Sequence, residues 1–211
     1  VRFTSGKSTT EIVHKILSSD IHAPSAAQDS KSPALAPALF LDRDGTLIEH
    51  VPYLHEPEKV IPLPGVFEAL RRAKDAGFRL IVTTNQPGIG LGYFTKEDFF
   101  RCNSAFLRFA HKAGVGIDKV YFSPATDAEE SKFRKPSPGM VERAKAELNI
   151  DVPNSFVIGD MTLDIEMAHR AGCRSVLVQT GVAGSDKRFM ARPEFTAKDL
   201  AEAVNWILSN R

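Results

Sequence analysis

Nothing in this 211-residue sequence approaches the roughly 18 consecutive apolar residues that a membrane-spanning helix needs. No stretch joins a charged start, an apolar core and a small-residue cleavage site, so a secretory leader is not expected. Charge of one sign is not in excess either. Lys and Arg number 27 against 26 Asp and Glu, for a net charge of +1 and a pI near 7.9. That balance argues against nucleic acid or an anionic membrane as partner. Cysteine is scarce: Cys102 and Cys173 lie far apart without metal-type spacing, and read as two buried thiols in a reducing cytoplasm. The chain opens on Val1 rather than Met, which reads as a processed start or a cut from something longer. What remains is ordinary for a soluble globular protein, 43% hydrophobic and 25% charged, with length for one substantial core.

Residues 1–36 differ from the rest. A short amphipathic stretch, Glu11 to Leu17, precedes Ser18 to Pro37, where Ser, Ala, Pro and Asp predominate. Such composition buries little apolar surface and reads as an arm or linker, leaving residues 37–211 as the working domain. Gly6-Lys7-Ser8 mimics the end of a phosphate-binding loop, but Val1 stands where that motif needs glycine, so the match is accidental.

From Ala38 onward, short apolar runs alternate with helical periods. Strands are expected at Ala38–Leu41, Phe78–Thr83, Lys119–Phe122, Ser155–Ile158 and Ser175–Gln179. Helices are expected at Pro64–Ala76, stopped by Gly77, and at Thr95–Ala113, opened by Thr95 with Glu97 and Asp98 in its first turn. Three more fall at Pro138–Leu148, Leu163–Ala171 and Leu200–Leu208. This alternation implies an α/β fold, a doubly wound, mostly parallel sheet covered on both faces. In such sheets the working groups gather at the carboxyl ends of the strands.

Polar residues fall at those ends. Asp42-Arg43-Asp44-Gly45-Thr46 follows the first run, Thr83-Thr84-Asn85-Gln86 the second, and Gly159-Asp160 the fourth, with Asp164 four residues on. Arg134-Lys135-Pro136 stands just before a helix. Each fragment alone also reads as a turn, a cap or a solvated corner. Together they supply carboxylates for a hard cation, an acid that can attack or transfer protons, and hydroxyl, amide and ammonium groups for phosphate oxygens.

These residues resemble the four motifs of the haloacid dehalogenase superfamily, over about Ala38 to Leu208. The resemblance extends to the subgroup of D,D-heptose 1,7-bisphosphate and histidinol-phosphate phosphatases, through Phe40 to Thr46, Thr84 to Ile89, Gly92-Tyr93-Phe94, Arg134 to Met140, and Gly159-Asp160 with Asp164. It implies a Mg2+-dependent phosphatase for a small phosphorylated metabolite. Asp42 would attack phosphorus and carry the phosphoryl group; Asp44 would protonate the leaving oxygen and then activate water. Magnesium would sit on the carboxylates of Asp42 and Asp160 and the backbone carbonyl of Asp44. Thr84 and the backbone at Asn85 would bind phosphate oxygens, Lys135 would balance charge, Asp164 would orient Lys135 or the metal's surroundings, and Arg134 would reach the substrate.

The sequence departs from the subgroup in one loop. Many relatives carry Cys-x-His and Cys-x-Cys before Arg-Lys-Pro; here those places hold Ser123, Ala125, Ser131 and Phe133, so no zinc is expected. The acidic cluster Asp127, Glu129 and Glu130 then reads as a solvated loop. Neither interval between motifs leaves room for an inserted cap domain of ~50 residues or more. Only a hairpin-like flap, Ile48 to Ile61, fits, with His50 and Tyr53 where relatives touch substrate. A sugar phosphate or bisphosphate suits such an open site. A histidinol-phosphate phosphatase and a nucleic-acid 3′-phosphatase are the alternatives, a non-catalytic module on the same fold a remote one. Oligomeric state is left open.

Overall fold

The computed structural model describes residues 35–210. The arm expected over residues 1–36, with Gly6-Lys7-Ser8 and the Glu11–Leu17 stretch, lies outside them apart from Leu35 and Ala36. Six strands form one sheet: β1 (Ala38–Leu41), β2 (Arg79–Asn85), β3 (Lys119–Ser123), β4 (Phe156–Gly159), β5 (Arg174–Val178) and β6 (Phe195–Ala197). Every pairing is parallel, in the order β3-β2-β1-β4-β5-β6. The sixth strand was not foreseen. Its three residues, Phe195-Thr196-Ala197, carry no periodicity of their own and are extended because they pair with Val176–Val178.

The apolar runs are continuous because the sheet is covered on both faces. Along β1, Leu39 and Leu41 join one core with Leu70 of α1 (Val66–Asp75), Phe106 of α2 (Lys96–Lys112) and Val204 of α5 (Leu200–Ser209). Ala38 and Phe40 join the other with Met140 of α3 (Gly139–Leu148) and Met167 of α4 (Thr162–Ala171). The doubly wound reading therefore holds. The opening of α2 is also as expected: Thr95 and Asp98 exchange side-chain and backbone hydrogen bonds in a capping box. Cys102 and Cys173 are buried free thiols, one in each core; burial pushes the Cys173 thiol up to about 12.

The chain runs outward from β1 to β3, then returns to β4 on the other side of β1. The strand order thus reverses between β1 and β4, where an α/β sheet opens a crevice at its carboxyl edge. Leu41 pairs with Val82 on one side and Ile158 on the other, and the Asp42 amide donates to the Ile158 carbonyl at 2.9 Å. This register brings the residues just past β1, β2 and β4 to one level. Between β1 and α1 the expected flap is present as a hairpin-like excursion, closed where Ile48 bridges Pro62 and Glu49 bonds the Ile61 carbonyl.

Candidate active site

Lys135 organises the centre of that edge. Its Nζ donates to Asp42 Oδ1 at 2.5 Å, to Asp164 Oδ1 at 2.6 Å and to the Thr83 carbonyl at 3.0 Å. All three donor hydrogens of the ammonium are thereby used. Burial works against its charge, but Asp164 and Asp42 outweigh that and hold its pKa above the ordinary lysine value. The loop bearing it is fixed by Asn85, whose side chain donates to the Lys135 carbonyl at 3.1 Å and accepts from the Lys135 amide at 3.0 Å. With the Asn85 side chain committed, its backbone is what remains to face a ligand.

Asp42, Asp160 and Asp164 bring carboxylate oxygens within 4.8 Å of one another. Their surroundings divide the three. Both oxygens of Asp164 are engaged, one by Lys135 and the other by the Met161 amide at 3.2 Å. Asp160 Oδ2 accepts from the Val182 amide at 2.7 Å, while Oδ1 is buried without a partner. Desolvation, and then the nearby Asp164 charge, push the Asp160 carboxyl up to about 6. Asp42 is also held well above the ordinary carboxylate range, by burial first and against the pull of Lys135, with Asp164, Asp160 and Asp44 adding to the rise. Three buried acids face one ammonium, more acid than that single cation balances, where water is nearly excluded. An ordered divalent cation fits that deficit and the vacant lone pairs of Asp160 Oδ1.

Close approach of backbone makes this packing possible. A Cβ at Gly45 would lie 2.3 Å from Asp160 Oδ2, and one at Gly181 would lie 2.1 Å from it. Gly45 also turns at φ +93°, a region costly for any other residue. So the bend read from Asp42-Arg43-Asp44-Gly45 is real, and the carboxylate of Asp160 packs against it.

Accessibility divides the acids. The Asp42 and Asp44 side chains are 10% and 18% exposed, against 1% for Asp164. Asp44 is held by Arg43, with Nη2 at 2.8 Å and Nε at 3.1 Å from Oδ2, and by the Gln86 amide at 2.9 Å. The same Gln86 nitrogen donates to Thr84 Oγ1 at 2.9 Å, which leaves the Thr84 hydroxyl hydrogen free to donate outward. Arg43 is fully buried and stacks its guanidinium over Phe99 at 5.3 Å.

The structure thus brings together Asp42, Asp44, Thr84, Asn85, Lys135, Asp160 and Asp164, as expected. The remaining expected residues lie further out. Arg134 is largely buried; its Nη1 donates to the Ala125 carbonyl at 2.8 Å and its Nε to Asp127 Oδ1 at 3.1 Å. The acidic loop is solvent-exposed as expected, with Asp127 also tied to Arg134 and Glu129 capping the Thr126 amide at 2.6 Å. His50 is exposed on the flap. Tyr53 stands edge-on to Tyr93 with ring centroids 4.7 Å apart, docking the flap on the segment after β2.

Arg43 and Gln86 lay within the quoted motifs but had no assigned role. Their signal was an arginine and an amide where a turn needs neither. The loop after β5 was missed altogether, although Thr180-Gly181-Val182-Ala183-Gly184 has the glycine spacing of a close approach.

Acids this crowded, at a crevice that also presents a lysine and a free hydroxyl, define a hydrolase that works on phosphate. Known proteins agree. The HAD-hydrolase-like family model matches residues 132–203. A D-glycero-D-manno-heptose-1,7-bisphosphate 7-phosphatase of Thermosynechococcus vestitus is 35% identical over 82% of this chain and 96% of its own length. A D-glycero-alpha-D-manno-heptose-1,7-bisphosphate 7-phosphatase of Burkholderia mallei is 40% identical over 67% of this chain and 78% of its own. The solved D,D-heptose 1,7-bisphosphate phosphatase from B. bronchiseptica, complexed with magnesium and phosphate, superposes with a TM-score of 0.76 at 26% identity, covering 82% of this chain and 99% of that one. The chain belongs to the haloacid-dehalogenase-like hydrolases, in the family of the heptose-1,7-bisphosphate 7-phosphatases.

Proposed function

We propose that this phosphatase hydrolyses a sugar bisphosphate of the heptose 1,7-bisphosphate kind, with magnesium bound and a phosphoryl-aspartate intermediate on Asp42. The observation that carries the chemistry is the cluster of three buried acids around one lysine, with Asp160 Oδ1 unpartnered. Magnesium fits that set through Asp42 and Asp160, with the Asp44 carbonyl as expected from the sequence. Once bound it would neutralise the nucleophile and the phosphate so that the two anions can meet. Zinc has no thiolate or imidazole at Ser123, Ala125, Ser131 or Phe133 to hold it.

The chain's own groups then have distinct tasks. Asp42, partly open and aligned by Lys135, attacks phosphorus in line; the bond from phosphorus to the sugar oxygen breaks as the acyl phosphate forms. Asp44 gives its proton to the departing oxygen and later takes one from the water that cleaves the acyl phosphate. Arg43 and Gln86 keep its carboxyl at the mouth of the site. Thr84 Oγ1 and the Asn85 backbone donate to the phosphoryl oxygens, and Lys135 balances the charge that builds there. Asp164 holds Lys135 in place. With only a flap above, water can reach the intermediate, which favours hydrolysis over phosphoryl return.

The relatives' names and the open, polar site support the substrate class. Arg134 is a ready cation for the phosphate that is not transferred. A panel of sugar phosphates, histidinol phosphate, nucleotides and 3′-phosphorylated DNA ends tests it. The expected result is highest kcat/KM on a sugar bisphosphate, ahead of its monophosphate. Arg134→Ala narrows that preference more than it slows an aryl phosphate. Histidinol phosphate or DNA ends turning over far faster than every sugar phosphate would overturn the assignment.

Residues 37–211 are proposed to carry the whole activity, with residues 1–36 as an arm. Ala36 bridges Ile150, and the Asp151 amide donates to its carbonyl at 3.0 Å, so a cut before Leu35 spares that pairing. Protein lacking residues 1–34 is expected to keep turnover within about twofold, since no site group is lost. A large fall with the circular dichroism spectrum intact would show that the arm completes the site.

A further inference from the structure

Beside Lys135 the edge of the sheet opens into a cleft of about 630 Å³, lined by Arg134, Lys132, Arg188 and the acids Asp127, Glu129 and Glu130. Two arginines from distant parts of the chain converge there on one oxygen. Asp127 Oδ1 is met by Arg134, whose Nε lies at 3.1 Å, and by Arg188 Nη2 at 3.3 Å. The Asp127 side chain is 61% exposed. Hydrogen bonding from Arg134 holds its carboxyl below the ordinary range, with Arg188 helping.

The placement of Arg188 is built into the loop after β5. Asp186 accepts from the Thr162 amide at 2.8 Å and from its hydroxyl at 2.5 Å, and the Phe189 amide donates back to that hydroxyl at 3.2 Å. Further back, the same loop binds Asp160 through the Val182 amide. One loop therefore supports the transfer centre and presents Arg188 to the cleft. Glu129 and Glu130 line the cleft too, so a second anion is favoured at the guanidiniums and repelled elsewhere.

We infer that Arg188 and Arg134 together form the subsite for the substrate's second phosphate, with Asp127 standing in that place until substrate displaces it. The inference rests on the sugar bisphosphate reading. A phosphate offers three acceptor oxygens and more charge than a carboxylate, and two guanidiniums meet it with paired donors. Asp127 keeps the two cations from repelling each other meanwhile, at the cost of competing with the ligand.

The test compares kcat/KM on D-glycero-D-manno-heptose 1,7-bisphosphate with that on the 7-phosphate. In Arg188→Ala the ratio of the two falls about tenfold or more, through KM for the bisphosphate, because one charge-assisted contact is lost. Arg188→Lys recovers part of the ratio, and Lys187→Ala, one residue away, leaves it unchanged. Asp127→Asn lowers KM for the bisphosphate, the internal competitor being weakened. Should the intact enzyme prefer the bisphosphate while Arg188→Ala keeps the full ratio, the subsite is wrong and the substrate class stands. A rise in KM for Asp127→Asn removes the stand-in role. An intact enzyme with no preference between the two sugars overturns the bisphosphate reading, and the subsite with it.

Discussion

Asp42→Asn is expected to lower turnover by about four orders of magnitude or more, because an amide neither attacks phosphorus nor shares a cation well. The fold should survive. Asp42 is one of three buried acids around a single lysine, and neutralising it relieves repulsion while Asp164 keeps the Lys135 ammonium paired at 2.6 Å. Losing Lys135 instead would leave Asp42 and Asp164 without their cation, a loss of about 3–5 kcal/mol. Asp44→Asn should divide substrates by leaving group. An alkyl phosphate, whose departing oxygen needs a proton, slows by roughly a hundredfold to ten-thousandfold. A nitrophenyl phosphate, whose departing anion is stable unprotonated, slows far less. Rate measurements on both, with melting curves for fold, decide it: equal losses on the two substrates would falsify Asp44 as the leaving-group acid.

Chelation should stop the enzyme, and magnesium should restart it. Elemental analysis should find no stoichiometric zinc, and one zinc per chain would show that the loop from Ser123 to Phe133 binds metal by other means. The same site predicts how the metal acts on stability. The Asp160 carboxyl is pushed up to about 6 in the metal-free fold, above the roughly 3.9 of a free aspartate. A raised folded value means that the fold holds a proton which the unfolded chain has released. This group's stabilisation is therefore complete below about pH 4 and lost as pH rises through about 6. Magnesium bound on Asp160, as proposed, would replace that proton, so its gain in melting temperature should be larger at pH 7.5 than at pH 5. Asp160→Asn should cost activity about a hundredfold or more and flatten both dependences. An equal magnesium shift at both pH values would place the ion away from Asp160.

Much of this molecule follows from local pattern. The five longer strands and five helices announce themselves by apolar period and by punctuation, as at Thr95 and Asp98, because a two-sided sheet needs unbroken apolar runs and covering helices need one apolar face. The placement of acids at strand ends was legible for the same reason: a polar residue that interrupts a buried run must sit where the sheet opens. Even the flap could be counted from the spacing between motifs.

Other features had no local signal. Phe195–Ala197 is a strand only because β5 offers an edge to pair with. Arg134 and Arg188 look like any surface cations until the fold sets both beside Asp127. Gly181 looks like a turn glycine until the Asp160 carboxylate lies 2.1 Å from where its Cβ would be. By itself, then, the sequence determined the layers, the order of chemical groups along the sheet edge and the phosphate chemistry they imply, since each depends on neighbours in the chain. Only the tertiary structure decided which oxygen of Asp160 is left without a partner, which acids crowd around one lysine, and which cations from separate loops meet in one cleft. Those depend on burial and on distances between residues remote in sequence, and no periodicity encodes them.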